Sequence, residues 1–170
     1  RKSTYPTPNA MAALQGRDLL SLADLTAEEL NHLLTTAAKI KSGDINPQCP
    51  QKILGLVFIK ASTRTRVSFT SAMYKLGGQV IDLNANLTQI GRGEPTADTA
   101  RVLDRYLDVL AIRTFDQSEV EDFAKYSDMP IINALTDLEH PCQILADLLT
   151  VQESFGQLEG LTMTYLGDGN

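Results

Sequence analysis

Residues 53–66 read ILGLVFIKASTRTR, and this stretch decides the fold. Its first half, residues 53–59, is a short apolar run rich in β-branched side chains, which predicts a strand buried on both faces. Its second half is polar and leads into a predicted helix over residues 65–76, which ends at Gly77 and Gly78. The stretch therefore predicts a buried strand that passes directly into a helix.

The same alternation continues along the chain. An amphipathic helix precedes this unit, with a capping box at Thr26 and Glu29 and an end at Gly43. Further strands are predicted at residues 80–83, 109–112 and 131–134, and further helices at residues 95–106 and 118–127. The last of these helices opens on a second capping box, Ser118 and Glu121. The alternation predicts an α/β fold with a parallel four-stranded sheet flanked by helices and right-handed crossovers.

The last thirty residues predict a change of domain. A helix is expected over residues 141–155, followed by a fifth strand over residues 161–166. Sheets of this kind continue from such a strand into a turn and a helix, so the chain is expected to be a fragment. The predicted division places one domain at residues 11–150, including most of a linking helix. The truncated start of a second α/β domain is placed at residues 151–170.

Composition and charge exclude several classes of protein. Hydrophobic residues make up 43% and charged residues 21% of the chain, which is typical of a globular protein and not of a disordered one. The formal net charge of −6 argues against a nucleic-acid or anionic-membrane partner. The longest apolar stretch is shorter than the roughly 18 residues that a membrane span needs. Two distant cysteines, Cys49 and Cys142, predict neither a disulfide framework nor a metal site and favour a reducing compartment.

Positive charge is concentrated in one segment of this acidic chain. No acidic residue lies between Asp44 and Asp82. The same segment carries five cations: Lys52, Lys60, Arg64, Arg66 and Lys75. We therefore expect one compact anion site instead of a long basic face.

Residues 62–66 are the first candidate for that site. They join a strand to a helix, so the N–H groups of the first helical turn have no partners and carry about half a positive charge. Such a turn binds anions, and the side chains of Ser62, Thr63, Arg64 and Thr65 add donors. The alternative is that Ser62 or Thr63 only caps the helix while the arginines are solvated. The residues alone leave both interpretations open.

Other polar residues follow the later strands, where parallel sheets bind their ligands. Arg113 follows the third strand, and His140 and Gln143 lie at the start of the helix over residues 141–155. A histidine in this place can donate to a substrate carbonyl, or it can simply bond its own backbone at the helix start. Cys142 is expected to pack as a small hydrophobic residue. No Walker-type phosphate loop is present, and the turn at residues 167–169 is an incomplete dinucleotide fingerprint.

Several motifs occur together in one known family. They are STRTR at residues 62–66, DTARVL at 98–103, IRT at 112–114, NALTD at 133–137, HPCQ at 140–143 and GDGN at 167–170. On these motifs the sequence resembles the transcarbamoylase family, and within it the ornithine carbamoyltransferases. The resemblance implies an amino-terminal domain that binds carbamoyl phosphate, joined by a helix to a domain that binds the amino acid.

The resemblance also implies roles for individual residues. The phosphate would be held by Ser62, Thr63, Arg64, Thr65 and Arg113. The carbamoyl group would be contacted by Arg113, His140 and Gln143, and the catalytic residues that stabilise the oxyanion would be Arg113, His140 and Thr65. Gln89 matches a residue that reaches into a neighbouring subunit's site, and Leu135 matches a position that lines the ornithine pocket. No metal, cofactor or covalent intermediate is implied.

The implied activity is carbamoyl transfer from carbamoyl phosphate to the side-chain amine of L-ornithine, giving citrulline and phosphate in arginine biosynthesis. The implied assembly is a homotrimer or a multiple of trimers in the cytoplasm, or in an organellar matrix or stroma in a eukaryote. Residues 92–94 resemble the loop of the aspartate-type enzymes, whereas residues 89–91 favour the ornithine type. The alternatives are a carbamoyltransferase acting on aspartate, acetylornithine or putrescine, and a non-catalytic phosphate-binding assembly subunit. The family's ornithine-binding residues would lie beyond Asn170, so this chain alone is expected to be inactive.

Overall fold

The computed structural model describes residues 14–84 and 93–167. The strands are β1 (Ile53–Phe58), β2 (Gln79–Asn84), β3 (Val109–Arg113) and β4 (Ile131–Leu135). The α-helices are α1 (Ala27–Ser42), α2 (Arg64–Lys75), α3 (Thr96–Leu103), α4 (Gln117–Lys125) and α5 (Pro141–Phe155), with a short 3-10 helix at Leu22–Asp24. Every helix and strand predicted before residue 156 is present, with ends shifted by at most three residues.

The four strands form one parallel sheet in the order β2-β1-β3-β4, which confirms the predicted fold class. The chain passes from β1 to β2 on one side and then returns to place β3 on the other side of β1. The carboxyl ends of β1 and β3 therefore flank the point where the strand order reverses. Ligands of open parallel sheets bind at such points.

Strands β1, β3 and β4 are buried on both faces, as their apolar runs predict, whereas β2 is largely exposed. Side chains of β1 alternate between two core clusters, as the period of a strand requires. Leu54, Leu56 and Phe58 pack with Met73 of α2 on one face. Val57 packs on the other face with residues of α3, α4 and the loops that follow them: Ala100, Leu107, Val120, Phe123 and Met129. This double layer fixes β1 in the centre of the molecule and gives a rigid base to the loop that follows it.

Gly55 marks the tightest contact in the sheet. A Cβ atom at this position would lie 2.4 Å from Cδ1 of Leu107 and 2.8 Å from Cδ1 of Leu110. Both leucines are buried, so they have little room to move away. The central strand therefore requires a residue without a side chain at this point.

The chain before α1 extends the sheet in a way that periodicity does not predict. Leu19 pairs in parallel with Ile132 of β4, donating its N–H to the Ile131 carbonyl at 2.8 Å and accepting from the Asn133 N–H at 2.8 Å. The short segment around Leu19 thus covers part of the outer edge of β4. A single bridging residue has no pattern of its own, and so it gives no sequence signal.

One predicted capping box is confirmed and the other is wrong. In α1, the Thr26 hydroxyl accepts from the Glu29 N–H at 3.2 Å, and the Glu29 carboxylate accepts from the Thr26 N–H at 2.8 Å. In α4, the helix begins at Gln117 with Asp116 as its N-cap residue and no side-chain cap, so Ser118 lies inside the helix. Tertiary hydrogen bonds of the first turn, described below for Gln117, set this earlier start.

The predicted fifth strand is wrong for this chain. Residues 161–166 form no regular secondary structure, and Met163 and Leu166 are 81% and 90% exposed. A strand needs a neighbour to accept and donate its backbone hydrogen bonds, and the described residues offer none to this segment. The predicted division between residues 150 and 151, and the start of a second domain, stay predictions. None of the helices in the described ranges is long and apolar enough to cross a membrane.

Candidate functional site

Two adjoining clefts lie at the carboxyl edge of the sheet, beside the end of β3. The larger has a volume of about 600 Å³ and is lined by six of the predicted site residues: Arg64, Thr65, Arg113, Leu135, His140 and Gln143. The smaller, about 230 Å³, is formed by the turn after β1 and includes Ser62 and Thr63. Arg64, Thr65 and Arg113 line both clefts. The structure therefore brings together every predicted site residue that it describes; Gln89 lies outside the described residues.

The turn after β1 leaves the start of α2 without a side-chain cap. Thr63 is the N-cap residue, with φ −95° and ψ −57°, and its hydroxyl makes no cap hydrogen bond. The interpretation of Ser62 or Thr63 as a plain helix cap is therefore not supported. The first-turn N–H groups of α2, together with the hydroxyls of Ser62, Thr63 and Thr65, form a set of donors around the smaller cleft.

Arg113 is the last residue of β3, where the pairing with β4 is irregular. Ile112 pairs with Asn133 but Arg113 pairs with Leu135, so the β4 strand holds one extra residue at this point. Such a bulge redirects the side chains next to it, and bulges are common beside active sites. The strand pattern of the sequence gave no sign of it, because a single extra residue does not disturb a run of five.

The Arg113 side chain is only partly satisfied by the protein. One terminal nitrogen donates to the Thr65 hydroxyl at 3.4 Å, while its Nε is buried without a hydrogen-bond partner among the described residues. Burial lowers the pKa of the guanidinium, which still stays charged at neutral pH because the ordinary pKa of arginine is the highest of all side chains. A buried, charged donor without an acceptor costs free energy, so the site is suited to an anionic ligand.

The loops around the site are fixed to one another by backbone hydrogen bonds. The Ile59 N–H donates to the Arg113 carbonyl at 2.8 Å, and the Thr114 N–H donates to the Leu135 carbonyl at 3.0 Å. An ion pair between Lys60 and Asp137 joins the loop after β1 to the loop after β4. These contacts hold the site residues in place before any ligand binds.

His140 is the N-cap residue of α5, with Pro141 at the first helical position. Its side chain makes no cap hydrogen bond, so it does not bond its own backbone as the alternative interpretation required. Its Nδ1 is buried without a partner among the described residues. Burial chiefly, and the positive charge of Arg113 in addition, lower the pKa of His140, whereas Asp147 opposes the shift. The imidazole is therefore neutral at neutral pH, with one N–H available as a donor.

We expect His140 to weaken folding as the pH falls. Its pKa is lower in the folded protein than in the unfolded chain, so the unfolded state takes up the proton first. The free energy of unfolding is then greatest above about pH 6.5 and decreases as the pH drops toward the folded-state pKa. Urea unfolding between about pH 5 and 8 should show the wild type losing stability relative to His140→Gln. Parallel curves for the two proteins would contradict this expectation.

Two neighbours of His140 on α5 differ in character. The Gln143 side chain lines the larger cleft and donates from Nε2 to Asp147 at 2.9 Å. The Cys142 thiol lies 3.7 Å from the Asn133 carbonyl, and burial raises its pKa to about 11. A thiol with that pKa is not a nucleophile at neutral pH. The prediction that Cys142 packs as a small apolar residue is therefore supported.

The cations of the acid-free segment do not form a basic surface. Three of them are neutralised by carboxylates from elsewhere in the chain, in the pairs Lys52–Asp108, Lys60–Asp137 and Arg66–Asp82. Arg64 forms no ion pair with any residue of the described ranges, and none of the described residues that line the two clefts is acidic. Among the five cations of this segment, positive charge is thus left over only at Arg64, beside the clefts, and at Lys75, at the end of α2, as a compact anion site requires.

Part of the cleft lining was missed by sequence reasoning. Ser68, Phe69 and Ala72 of α2 and Ala146 of α5 line the larger cleft. Ser68 and Phe69 follow Thr65 by three and four residues, Ala72 follows Phe69 by three, and Ala146 follows Gln143 by three. These spacings place side chains on one face of a helix. Extending the predicted site residues along their helices at these spacings would have found them.

Another cleft, of about 450 Å³, lies at the opposite edge of the sheet. Its lining mixes cations, Arg101, Arg105 and Lys125, with the carboxylates of Asp104 and Asp128. Asp104 accepts a hydrogen bond from the Asp128 N–H at 3.0 Å. Arg101 forms an ion pair with Asp98, so Arg105 and Lys125 remain beside two carboxylates, and this cleft is not a second candidate site. Within residues 14–84 and 93–167, no group of three or more His, Cys, Asp or Glu side chains is arranged to hold a metal ion.

Comparison with known proteins places this site in one family. The model of the aspartate/ornithine carbamoyltransferase, carbamoyl-P binding domain matches residues 17–153. Relatives named ornithine carbamoyltransferase from a Synechocystis and a Nostoc strain are 70% and 71% identical over 158 and 160 residues. These alignments cover 93% and 94% of this chain but 51% and 52% of the relatives. The chain thus spans about half the length of the relatives that it matches.

Solved structures give the same result. The ornithine carbamoyltransferase of Gloeobacter violaceus matches with a TM-score of 0.78 and 60% identity, over 85% of this chain and 47% of that one. The aspartate transcarbamoylase of Trypanosoma cruzi, in complex with aspartate and phosphate, matches with a TM-score of 0.80 and 34% identity, over 89% and 48%. The family model covers most of the chain, and the fold and the sequence agree with it. The chain therefore belongs to the aspartate/ornithine carbamoyltransferase family.

Proposed function

We propose that the full-length protein transfers a carbamoyl group from carbamoyl phosphate to the side-chain amine of L-ornithine, giving citrulline and phosphate. One observation supports the chemistry more than any other: two buried polar atoms, Nε of Arg113 and Nδ1 of His140, lack partners among the described residues. Both residues line the same cleft beside the uncapped start of α2. A ligand with an anionic group and a carbonyl oxygen would supply acceptors there.

The phosphate group is expected to bind at the start of α2. The smaller cleft combines first-turn N–H groups with the hydroxyls of Ser62, Thr63 and Thr65. Arg64 and Arg113 add two guanidinium groups, which bind phosphate oxygens through paired hydrogen bonds. The charge of the ligand is thereby matched by donors from two adjacent strand ends.

The carbamoyl group then extends into the larger cleft. Attack by the amine on the carbamoyl carbon produces a tetrahedral oxyanion, which Arg113, His140 and the Thr65 hydroxyl stabilise by donating to it. Removing one such donor typically lowers kcat by about 10² to 10³. Neutral His140 fits this role because it keeps an N–H to donate while adding no second positive charge beside Arg113.

The intermediate collapses by breaking the bond between the carbamoyl carbon and the phosphate oxygen. The amine has to lose a proton during the transfer, and the departing phosphate is the proposed final acceptor. Gln143 is placed to contact the carbamoyl amide from the first turn of α5. In this scheme the protein residues bind, orient and donate, and none of them forms a covalent bond with the substrate.

Ornithine is proposed as the amine substrate because of the relatives. Eight of them, 63% to 71% identical to this chain, are named ornithine carbamoyltransferase. The structural match to an aspartate transcarbamoylase is at 34% identity, so the sequence favours the ornithine type. Leu135, which lines the larger cleft, is the proposed contact with the aliphatic part of ornithine.

Further proposals concern the whole protein. Its place is arginine biosynthesis, and its assembly is a homotrimer or a multiple of trimers, in which Gln89 would reach into a neighbouring site. Location in the cytoplasm, or in an organellar matrix or stroma in a eukaryote, is consistent with the two unpaired cysteines.

The test is steady-state kinetics of the full-length protein with carbamoyl phosphate and L-ornithine, using His140→Ala and Arg64→Ala. We expect His140→Ala to lower kcat about a hundredfold, because an oxyanion donor is lost. Arg64→Ala is expected to act mainly on KM for carbamoyl phosphate, with about a thirtyfold increase from the lost charge-assisted hydrogen bonds. A loss of kcat/KM below tenfold in both variants would overturn the proposal, as would activity with aspartate but not ornithine.

A further inference from the structure

We infer that Gln117 and Thr136, which line neither cleft, are positioning residues that set the place of His140. The inference rests on the proposed carbamoyl transfer. Gln117 opens α4, and Thr136 directly follows β4, four residues before His140. The Thr136 side chain is almost completely buried, with the residue 5% exposed. A buried polar network beneath a catalytic loop is a way to fix one conformation of that loop.

Two acceptors lie within reach of the Thr136 hydroxyl, Oε1 of Gln117 at 2.8 Å and the Glu139 carbonyl at 3.5 Å, and the shorter contact is the favoured one. Nε2 of Gln117 donates to the Leu20 carbonyl at 3.3 Å, so Oε1 of Gln117 is the acceptor. Oε1 then accepts from Nδ2 of Asn133 at 3.2 Å and from the Thr136 hydroxyl at 2.8 Å. Turning the amide over would place its NH₂ against the NH₂ of Asn133. The Thr136 proton is therefore directed at Gln117.

With its proton directed at Gln117, the Thr136 oxygen can accept hydrogen bonds from the turn over residues 136–139, which leads to His140. The N–H groups of Leu138 and Glu139 each lie 3.3 Å from it. The Thr136 N–H donates to the Glu139 carbonyl at 3.0 Å and closes the same turn. Thus Gln117 orients the hydroxyl of Thr136, and the hydroxyl organises residues 136–139.

The turn is also anchored at its far end, next to His140. The Glu139 carboxylate accepts from the Leu22 N–H at 3.2 Å. Asn133, which is completely buried, donates to the Leu20 carbonyl at 2.9 Å and so joins β4 to the same amino-terminal segment. His140 follows directly as the N-cap of α5. The network thus fixes the backbone from which the His140 side chain projects, and a misplacement of about 1 Å can cost up to about 10² in rate.

Matched variants of Thr136 provide the test in the full-length protein. Thr136→Val has the same shape without the hydroxyl, and Thr136→Ser keeps the hydroxyl. We expect Thr136→Val to lower kcat about tenfold or more while changing KM for carbamoyl phosphate less than about threefold, because the phosphate is held elsewhere. Thr136→Ser is expected to retain at least about half of kcat. Gln117→Met removes the same hydrogen bond from its other partner, so its kcat should match that of Thr136→Val. The double variant should lower kcat little further.

A control variant separates positioning from general destabilisation. Asp104 accepts from the N–H groups of Asp128 and Met129 at 3.0 and 2.8 Å, before β4 at the opposite edge of the sheet. Asp104→Ala removes a comparable loop anchor far from His140. It is expected to lower the melting temperature with kcat unchanged within about twofold, which is the result for a residue outside the site.

A second readout does not depend on turnover. In histidine-labelled protein, the imidazole resonance of His140, assigned with His140→Gln, is expected to move in Thr136→Val and Gln117→Met but not in Asp104→Ala. An unmoved resonance, or unchanged kcat in both network variants, overturns the inference. A wild type without carbamoyl transfer would instead overturn the proposed function, and the resonance would still decide the positioning role.

Discussion

Replacing Arg113 with alanine is expected to lower kcat/KM for carbamoyl phosphate about a thousandfold, or about 4 kcal/mol of transition-state stabilisation. Arg113 lines both clefts, so in the proposed reaction one guanidinium would serve the departing phosphate and the developing oxyanion together. Its Nε is already desolvated and has no partner within residues 14–84 and 93–167, so no water has to be removed from it when a substrate binds. Each contact that a substrate makes there is therefore strong.

Arg113→Lys tests whether the charge alone is enough. Lysine keeps one positive charge but loses the planar fork of donors, so it cannot serve two acceptors with fixed geometry. Its kcat/KM is expected to stay about a hundredfold below the wild type. Arg105→Ala is the control, because Arg105 is exposed and lines the cleft at the other edge of the sheet. If Arg113→Ala kept a tenth of wild-type kcat/KM, or Arg105→Ala lost as much, the assignment would be wrong.

The largest effect on stability is expected for Gly55→Val. A Cβ at Gly55 would already lie 2.4 Å from Leu107, and the two further methyl groups of valine have no space in the buried centre of β1. Overpacking of this kind costs about 3 kcal/mol. The measurement is the shift of the denaturant midpoint of the full-length protein. A shift corresponding to less than about 1 kcal/mol would show that the core adapts more easily than its packing suggests.

A compensating change separates overpacking from other causes. Leu107→Ala alone is expected to cost about 2 to 4 kcal/mol, because it leaves a cavity beside Gly55. In the double variant the valine fills part of that cavity. The combined loss should therefore be smaller than the sum of the two single losses, whereas residues that do not contact each other give additive losses.

The fold was predictable because the sequence signals are local and repeated. Residues 53–59 are apolar without a break except Gly55, and strands of this type are buried on both faces. The helix before β1 has its own start signal, the capping box of Thr26 and Glu29, and the helix after β1 has its own end signal, Gly77 and Gly78. Both helices are present in the structure. Where one local signal competed with tertiary hydrogen bonds, as for Ser118, the tertiary bonds set the helix start.

Only those residues of the candidate site that follow strand ends could be predicted from the sequence. Arg113 and His140 follow strand ends, and that position alone predicted that they would lie together. Gln117 and Thr136 gave no such signal, because their importance depends on which backbone groups a buried side chain meets after folding. The strand predicted at residues 161–166 failed for a related reason: apolar composition sets a tendency, but pairing needs a partner.

Three segments far apart in the chain, at the start of α2, at the end of β3 and from the end of β4 to the start of α5, converge on one cleft. If the proposed ligand binds across these segments, it binds only when they are assembled, so a higher ligand concentration would make this edge of the sheet more resistant to local opening. Limited proteolysis in these loops is therefore expected to slow when the ligand is present.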